Sequence, residues 1–393
     1  MLNDAEKYAM RGVSANKSEV HEAIKNVDKG LHPLAFCKIL PDFAAQDPDY
    51  CNIMHADTAG TKTSLAYLYW KETGDVSVWK GIVQDAIVMN LDDMACVGCV
   101  DNIILSSTIG RNKNLISGDV IKTLIEATGE FVDKMRAYGI NIHLAGGETA
   151  DVGDIVRTID VGYTAFARIK RKQLIVNDIQ AGNVVVGFAS YGQATYEDTY
   201  NGGMGCNGLT SARHDVLKKL YLKKYPDSYD PNTPKEVLYT GNKKIIDTLK
   251  IKGQKYTIGQ LLLSPTRTFL PLLKKILDNT EGGKGINGII HNTGGGQTKV
   301  SKFIKNKHII KDNLLPIPPL FNMIQAASNT DWREMFQVFN MGCRLEIYCD
   351  EKIAKSLVTT AKSFNIDAKI IGHVENNTTE SVTIHSPHGV FKY

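Results

Sequence analysis

The sequence predicts a two-domain α/β (α+β) protein, and three observations lead there. The chain has 393 residues, beyond the size at which one hydrophobic core usually stops growing, so two domains are expected, with room for a third. Its first half alternates helical and strand-like apolar patterns. After a break near residues 172–182, the run Asn183-Val184-Val185-Val186-Gly187-Phe188-Ala189 is almost uninterrupted in apolar character, as in a strand covered on both faces. The expected domains are therefore 1–174 and 175–393.

Taken in order, residues 51–56 form a short apolar strand that delivers Asp57 to a turn. Residues 81–97 read as a helix, with Ile82, Val83, Ala86, Ile87, Leu91, Met94 and Ala95 at helical spacing. Asp85 and Asp92 lie two turns apart on one face of it, and Asp93 is rotated by about 100°. A second helix spans 119–138 and stops at Gly139, a C-cap glycine. Ile140, Ile142 and Leu144 alternate as a strand that runs into a Gly146-Gly147 turn, and 160–169 is a further strand. Residues 221–260, rich in Lys, Tyr, Pro and Asn, read as a surface insertion in which Pro226, Pro231 and Pro234 resist regular helix. Helix resumes after Pro265, a strand covers 288–291, and a helix follows at 299–305. Alternation from Cys343 to Cys349 marks a strand, and a βαβ-like segment closes with residues 368–374.

Bulk composition excludes several classes. Hydrophobic content of 43% and charged content of 22% are those of an ordinary soluble domain. The net charge of +4 arises from 46 basic and 42 acidic residues, without the concentrated basic face of a nucleic-acid binder. The one dense basic run, Arg168-Ile169-Lys170-Arg171-Lys172, reads as a solvated strand end or connector. No secretory h-region is visible at the start, and apolar stretches such as 97–109 are too short and interrupted to span a bilayer. Seven scattered cysteines do not make a disulfide framework, which fits a reducing cytoplasm. The lone Cys96-Val97-Gly98-Cys99 pair ends an apolar helix, where cysteines pack as small hydrophobes.

Four motifs carry the chemistry. Asp57-Thr58-Ala59-Gly60-Thr61-Lys62 places a carboxylate and an ammonium on either side of a glycine turn, although it matches no standard Walker pattern. Asp85, Asp92 and Asp93 interrupt an apolar helix, and buried acids are costly unless paired or bound to metal. A solvated face is the plainer alternative. Gly146-Gly147-Glu148-Thr149-Ala150 follows a strand, so its glycines permit close approach by a phosphate and Glu148 can complete an oxygen shell. Thr293-Gly294-Gly295-Gly296, between a strand and a helix, aims its amides at an anion. Magnesium usually reaches a protein through one or two carboxylates plus substrate phosphates, so together these features suggest ATP chemistry on an anionic small molecule. Gly203-Met204-Gly205-Cys206-Asn207-Gly208 fits GxGxxG in form only. No strand leads into it, and a glycine loop over an active site is the better reading than a dinucleotide fold.

Read in order, the motifs resemble the phosphoribosylformylglycinamidine cyclo-ligase (AIR synthetase) family over most of the chain. Tyr8 with Gly12-Val13 looks like the family's N-terminal tyrosine and Gly-Val pair, and Asp57 to Lys62 is similar to its DGVGTK turn. Asp85 to Asp93 is similar to its helix ending in Asn-Asp, with Asp92 at the Asn position, and residues 146–150 reproduce GGETA. In the second half, Asn207-Gly208 with Ser211 and Arg213 resembles HSNGYSLVR, Pro265-Thr266-Arg267 its PTR, residues 293–296 its TGGG, and Phe339-Asn340-Met341-Gly342 its FNxG.

The resemblance implies two α/β domains, an N-terminal mixed sheet that dimerises, and ATP near that interface. It implies ATP-dependent cyclisation of formylglycinamidine ribonucleotide to aminoimidazole ribonucleotide through an iminophosphate, with magnesium and a candidate potassium requirement. Carried over, Lys62, Asp93 and Glu148 would be catalytic. Asp57, Gly60, Thr61, Lys62, Asp85, Gly146, Gly147 and Thr149 would hold ATP and its phosphates. Asp57, Asp92, Asp93 and Glu148 would bind metal. Asn207, Gly208, Thr266, Arg267, Thr293, Gly294, Gly295, Gly296 and Asn340 would hold the ribonucleotide. The expected partners are this small molecule and a second copy of the chain, with no nucleic acid and no membrane.

Three departures stand out: Gly12-Val13-Ser14-Ala15-Asn16 in place of GVDID, His32-Pro33-Leu34-Ala35-Phe36 in place of a GGFGG loop, and Gly205-Cys206 in place of the His-Ser before Asn-Gly. They leave open a divergent relative, such as a small-molecule kinase like thiamine-phosphate kinase. A non-catalytic nucleotide sensor is the other alternative, disfavoured by the retained acids.

Overall fold

The computed structural model describes residues 4–13 and 22–393. The substitutions at Ser14, Ala15 and Asn16 lie outside the described residues. Two mixed sheets organise the chain, one from each half.

The first sheet has five strands in the order β1 (Ile39–Pro41), β2 (Tyr50–Thr58), β5 (Ile159–Lys170), β3 (Ile103–Arg111) and β4 (Ile142–Asp151). Its pairings are antiparallel except β3 with β4. Alternate residues of β2 and β3, such as Ile53 and Leu105, are fully buried, whereas Met54 and Ile104 are exposed on the other face.

After a short N-terminal helix, α1 (Asp4–Met10), three helices accompany this sheet: α2 (Lys62–Thr73), α3 (Val78–Ala95) and α4 (Gly118–Arg136). Helix α3 is apolar on nearly every side and almost wholly buried, because it lies between its own sheet and the second half. Helix α4 is amphipathic, burying Val120, Leu124, Phe131 and Met135.

The second sheet has seven strands in the order β14-β13-β10-β12-β6-β11-β9. These are β6 (Val184–Ala189), β9 (Ile286–His291), β10 (Lys307–Lys311), β11 (Cys343–Cys349), β12 (Ala368–Asn376), β13 (Ser381–Ser386) and β14 (Gly389–Lys392). Strand β11 is buried along its whole length, polar residues included, because it lies between β6 and β9 and is covered on both faces. Helices α5 (Leu209–Val216), α6 (Leu270–Asn279) and α7 (Glu351–Ser363) belong to this half.

Several elements differ from expectation. The Gly146-Gly147 pair lies inside β4 rather than beyond its end. There the register against β3 skips a residue, and Gly146 (φ 84°) forms a bulge that an L side chain would strain. A Cβ on Gly147 would lie 2.3 Å from the Ser107 carbonyl oxygen, so glycine serves close strand approach here. The expected helix at 299–305 is a 3₁₀ segment, Gly296–Phe303, that begins directly in the glycine turn. Residues 221–260 are no loose insertion. Tyr221 and Tyr239 are fully buried, and the segment carries a hairpin of β7 (Thr248–Ile251) and β8 (Gln254–Thr257). Strands β13 and β14 lie beyond the last segment that the pattern revealed.

Candidate functional site at the seam between the two sheets

The seam is built by α3 and by one extended segment of the second half, residues 264–269. Asp85 Oδ1 accepts from the Thr266 amide (2.7 Å) and hydroxyl (2.6 Å). Two turns on, Asp92 accepts from the Thr268 hydroxyl and the Phe269 amide, each at 2.7 Å. Gln84 donates to the Thr266 carbonyl (2.9 Å). Lys62, the first residue of α2 and fully buried, donates to Asp85 (2.8 Å) and to the Ser264 carbonyl (2.6 Å). Buried acids must be paired, and these are paired with backbone and hydroxyl donors across the seam.

These bonds account for several of the expected site residues. Lys62 and Asp85 pair with each other inside the protein. Asp92 accepts from Thr268 and Phe269, and Thr266 donates to Asp85. Arg267 forms a two-bond ion pair with Glu197 (3.0 and 2.5 Å) and donates to the Ala189 and Tyr191 carbonyls, both at 2.8 Å. Asn340 is equally occupied. Its amide nitrogen donates to the Gly203 and Met204 carbonyls, while its oxygen accepts from Ser190 and the Gly342 amide. Both side chains position the loop that carries residues 203–208.

Asp93, rotated away from the other two acids, heads a second polar chain. His291 Nδ1 and Asp93 Oδ1 are 2.7 Å apart, and Arg344 Nε donates to His291 Nε2 at 2.9 Å. An arginine nitrogen can only donate, so His291 accepts at Nε2 and carries its hydrogen on Nδ1 toward Asp93. Burial, with the Arg344 charge adding to it, lowers His291 to a pKa of about 4 and keeps it neutral. Burial alone would raise Asp93; its bonds to His291 and His55 prevail and hold it well below the usual carboxylate range. His55 on β2 sits 3.4 Å from Asp93 Oδ2 and 3.0 Å from Asn90 Oδ1. Sequence reasoning passed over His55, His291 and Arg344. The one available signal was a charged Arg344 in an otherwise strand-like apolar run.

The glycine turns come together in the second half. Gly208 (φ 77°) lies against the Phe339 ring, Gly296 against the Phe336 and Phe339 carbonyls, and Gly294 faces the Asn207 amide. Gly294 is exposed, and Asn207 Oδ1 has no protein partner. Thr293 accepts from the Gly296 amide at 2.9 Å, closing the turn. A buried network holds its flanks: Asn292 donates to Glu346 (2.7 Å), Gln297 donates to the Cys343 carbonyl (2.9 Å), and Lys311 joins Gln297 to Glu346. The turn is thus fixed from behind, with Gly294 exposed and Gly295 partly so in front.

The first-half turn is less enclosed. Gly60 (φ 57°) has open space around it, and Thr61 touches Thr210 of α5 (2.6 Å). Asp57 is half-buried on the face of β2 that also carries His55 toward α3. Glu148 is exposed and, through Thr108 and Gly162, is in register with Thr58, so it points from the opposite face. Three inter-strand steps separate the two acids, about 14 Å. Among the described residues no three His, Cys, Asp or Glu side chains gather to hold a metal. The expected cage of Asp57, Asp92, Asp93 and Glu148 is not assembled within one chain. Cys96 and Cys99 are buried, and burial pushes both thiols up, Cys99 to about 12, consistent with packing.

Residues 39–169 match the family described as AIR synthase related protein, N-terminal domain. This part of the chain is similar to that family. The chain is 28% identical to a phosphoribosylformylglycinamidine cyclo-ligase of Methanocaldococcus jannaschii over 89% of its own length and 83% of the relative's. It is 27% identical to the cyclo-ligase of Thermoplasma volcanium, covering 82% and 79%. Among solved structures, the fold is shared with a chain of the HypE-HypF complex (TM-score 0.54, 13% identity, 95% and 97% covered). It is also shared with Thermotoga maritima PurL complexed with FGAR (TM-score 0.51, 12% identity, 98% and 54% covered).

Asp92 gives a pH-dependent test of the seam. Burial raises its carboxyl from the ordinary carboxylate range to about 7. The folded protein therefore keeps this proton while the unfolded chain loses it, and the stability contributed is lost as pH rises from about 4 through 7. Urea unfolding of Asp92→Asn should show a stability that gains steadily on wild type over that interval and levels off above it. A pH-independent difference would contradict the assignment.

Proposed function

We propose that the protein is an ATP-dependent cyclo-ligase that closes formylglycinamidine ribonucleotide to aminoimidazole ribonucleotide, a step of purine biosynthesis. The observation that carries this reading is the similarity to cyclo-ligases across more than four-fifths of the chain. The geometry supports it in three ways. A glycine turn held rigidly from behind, with Asn207 Oδ1 lacking a partner, suits the phosphate and amide groups of a ribonucleotide. The Gly60-Thr61 turn opens on the same seam and suits nucleotide phosphates. No activated nucleophile is needed, since phosphoryl transfer rests mostly on positioning and charge neutralisation.

In this scheme the formyl amide oxygen takes the terminal phosphoryl group of ATP, the neighbouring amidine nitrogen attacks the resulting iminophosphate carbon, and phosphate leaves as the ring closes. Asp57 fits a magnesium ion carried in with the nucleotide, rather than a preformed cage, and that ion would neutralise phosphate charge. Asn207 and the Thr293–Gly296 amides orient the ribonucleotide. Coupled assays should show magnesium-dependent ADP release that requires the ribonucleotide, with Asp57→Asn lowering kcat/KM by roughly a hundredfold or more. Turnover without the ribonucleotide, or an unimpaired variant, would refute the scheme.

The second copy of the chain completes the first-half site in this proposal. Met54, Phe166 and Ile104 stand in register on the outer sheet face, with Met54 62% and Ile104 44% exposed. Pairing this face with its equivalent would bury the apolar row and bring Glu148 and Thr149 of one copy toward the nucleotide turn of the other. Sedimentation should give a dimer for wild type and a monomer of low activity for Met54→Glu. A monomeric, fully active wild type would exclude this arrangement.

A further inference from the structure

Among the described residues the buried cations follow one rule, with one departure. Lys62, Lys311, Arg11 and Arg267 each meet a carboxylate, and Arg213 donates to the Ser228 carbonyl oxygen. Arg344 has neither kind of partner among the described residues. Its side chain is buried, with the residue only 1% exposed, yet its Nε is spent on a neutral histidine and its Nη2 faces only the Met89 sulfur at 3.3 Å. Its Nη1 has no partner at all. Buried charges are ordinarily paired, since an uncompensated one is expensive.

The surroundings of that nitrogen are specific. Gly205 packs directly on it: a Cβ at position 205 would lie 1.9 Å from Nη1, and the residue has φ 68°. The glycine loop at 203–208, which no dinucleotide fold explains, therefore approaches the guanidinium only because residue 205 has no side chain. Next to it stands half-buried Cys206, whose electrostatic neighbours are Asp85, Lys62 and Arg344. Asp85 Oδ2 is a second buried atom with no partner. One unmatched donor and one unmatched acceptor thus flank Cys206, where the seam runs between the Gly60-Thr61 turn and the Thr293–Gly296 turn.

We propose that Arg344 is an anion-binding residue of the seam, left without a counter-ion so that Nη1 can take a negatively charged oxygen of the reacting molecules. The ligand class is a phosphoryl or phosphate oxygen. Under the cyclo-ligase reading, on which this part rests, the oxygen belongs to the transferring phosphoryl group beside the amide. His291 and Asp93 position the guanidinium through Nε, and the Gly205 backbone packs against it. A donor fixed in advance where charge develops, in a site closed to water, is the arrangement that stabilises a transition state most.

The test compares Arg344→Met and Arg344→Lys with wild type, using inorganic phosphate and the ribonucleotide as separate probes in thermal unfolding. Wild type should be stabilised by each anion, Arg344→Met by neither, and Arg344→Lys partly. Without ligand, Arg344→Met should unfold at or above the wild-type temperature, because an unpaired buried charge has been removed. In the coupled assay, kcat should fall roughly a hundredfold in Arg344→Met with KM for ATP little changed, and recover partly in Arg344→Lys. If both variants respond to the anions like wild type, or if Arg344→Met is only less stable while keeping its anion response, the guanidinium is structural and the proposal fails. The phosphate arm needs no turnover. An anion response lost in Arg344→Met beside a wild type that does not cyclise the ribonucleotide upholds the site and sinks the cyclo-ligase reading, whereas normal cyclisation with a retained response does the reverse.

Discussion

The contact between Lys62 and Asp85, sealed under the Thr266 amide and hydroxyl, sets what the rest of the molecule can do. Helix α3 is too apolar to face solvent and too rich in acid to lie in a plain hydrophobic core. The fold resolves this by running residues 264–269 along the helix, so that backbone amides, hydroxyls and one lysine bond to Asp92 and to Oδ1 of Asp85. Removing one partner of such a pair leaves a bare buried charge, so the two halves are coupled through electrostatics as well as through area. The site inherits this rigidity. The Asn207 loop and the glycine turn at 293–296 both hang from elements fixed to the seam.

Division of labour among the three acids of α3 follows from helix geometry. Asp85 and Asp92, seven residues apart, face the same segment and act as staples. Asp93 is turned toward β2 and β9, where it joins His55 to His291 and, through His291, to Arg344. One helix thus supplies both the joint between halves and the polar chain that reaches into the seam. Glycine is used as sparingly as carboxylate. Gly205 yields space to a guanidinium, Gly147 to the Ser107 carbonyl, and Gly296 to two carbonyls behind the second-half turn.

Much of this was legible in the sequence. Strand β11 is bounded as its alternation implies, and the shared face of Asp85 and Asp92 was visible from spacing alone. The motif order also pointed to the likeness that residues 39–169 show to the AIR-synthase-related N-terminal domain. What the sequence could not display was the partner of each polar group. The threonine and arginine of Pro265-Thr266-Arg267 look like ligand contacts until their acceptors, Asp85 and Glu197, are known, and these lie 181 and 70 residues away in the chain. Glu148 looks like a companion to Asp57 until strand order places it on the far side of the sheet. His291 and Arg344 were hidden for a related reason: their chemistry arises from a contact between strands, not from a local pattern.

The seam is held by the charge pair of Lys62 and Asp85. A double-mutant cycle in urea with Lys62→Met, Asp85→Leu and the combined variant measures this directly. Each single change should cost about 3–5 kcal/mol, and the pair together should recover most of that loss. Additive losses, or a single change that costs nothing, would show that Lys62 and Asp85 do not depend on each other and would contradict the account.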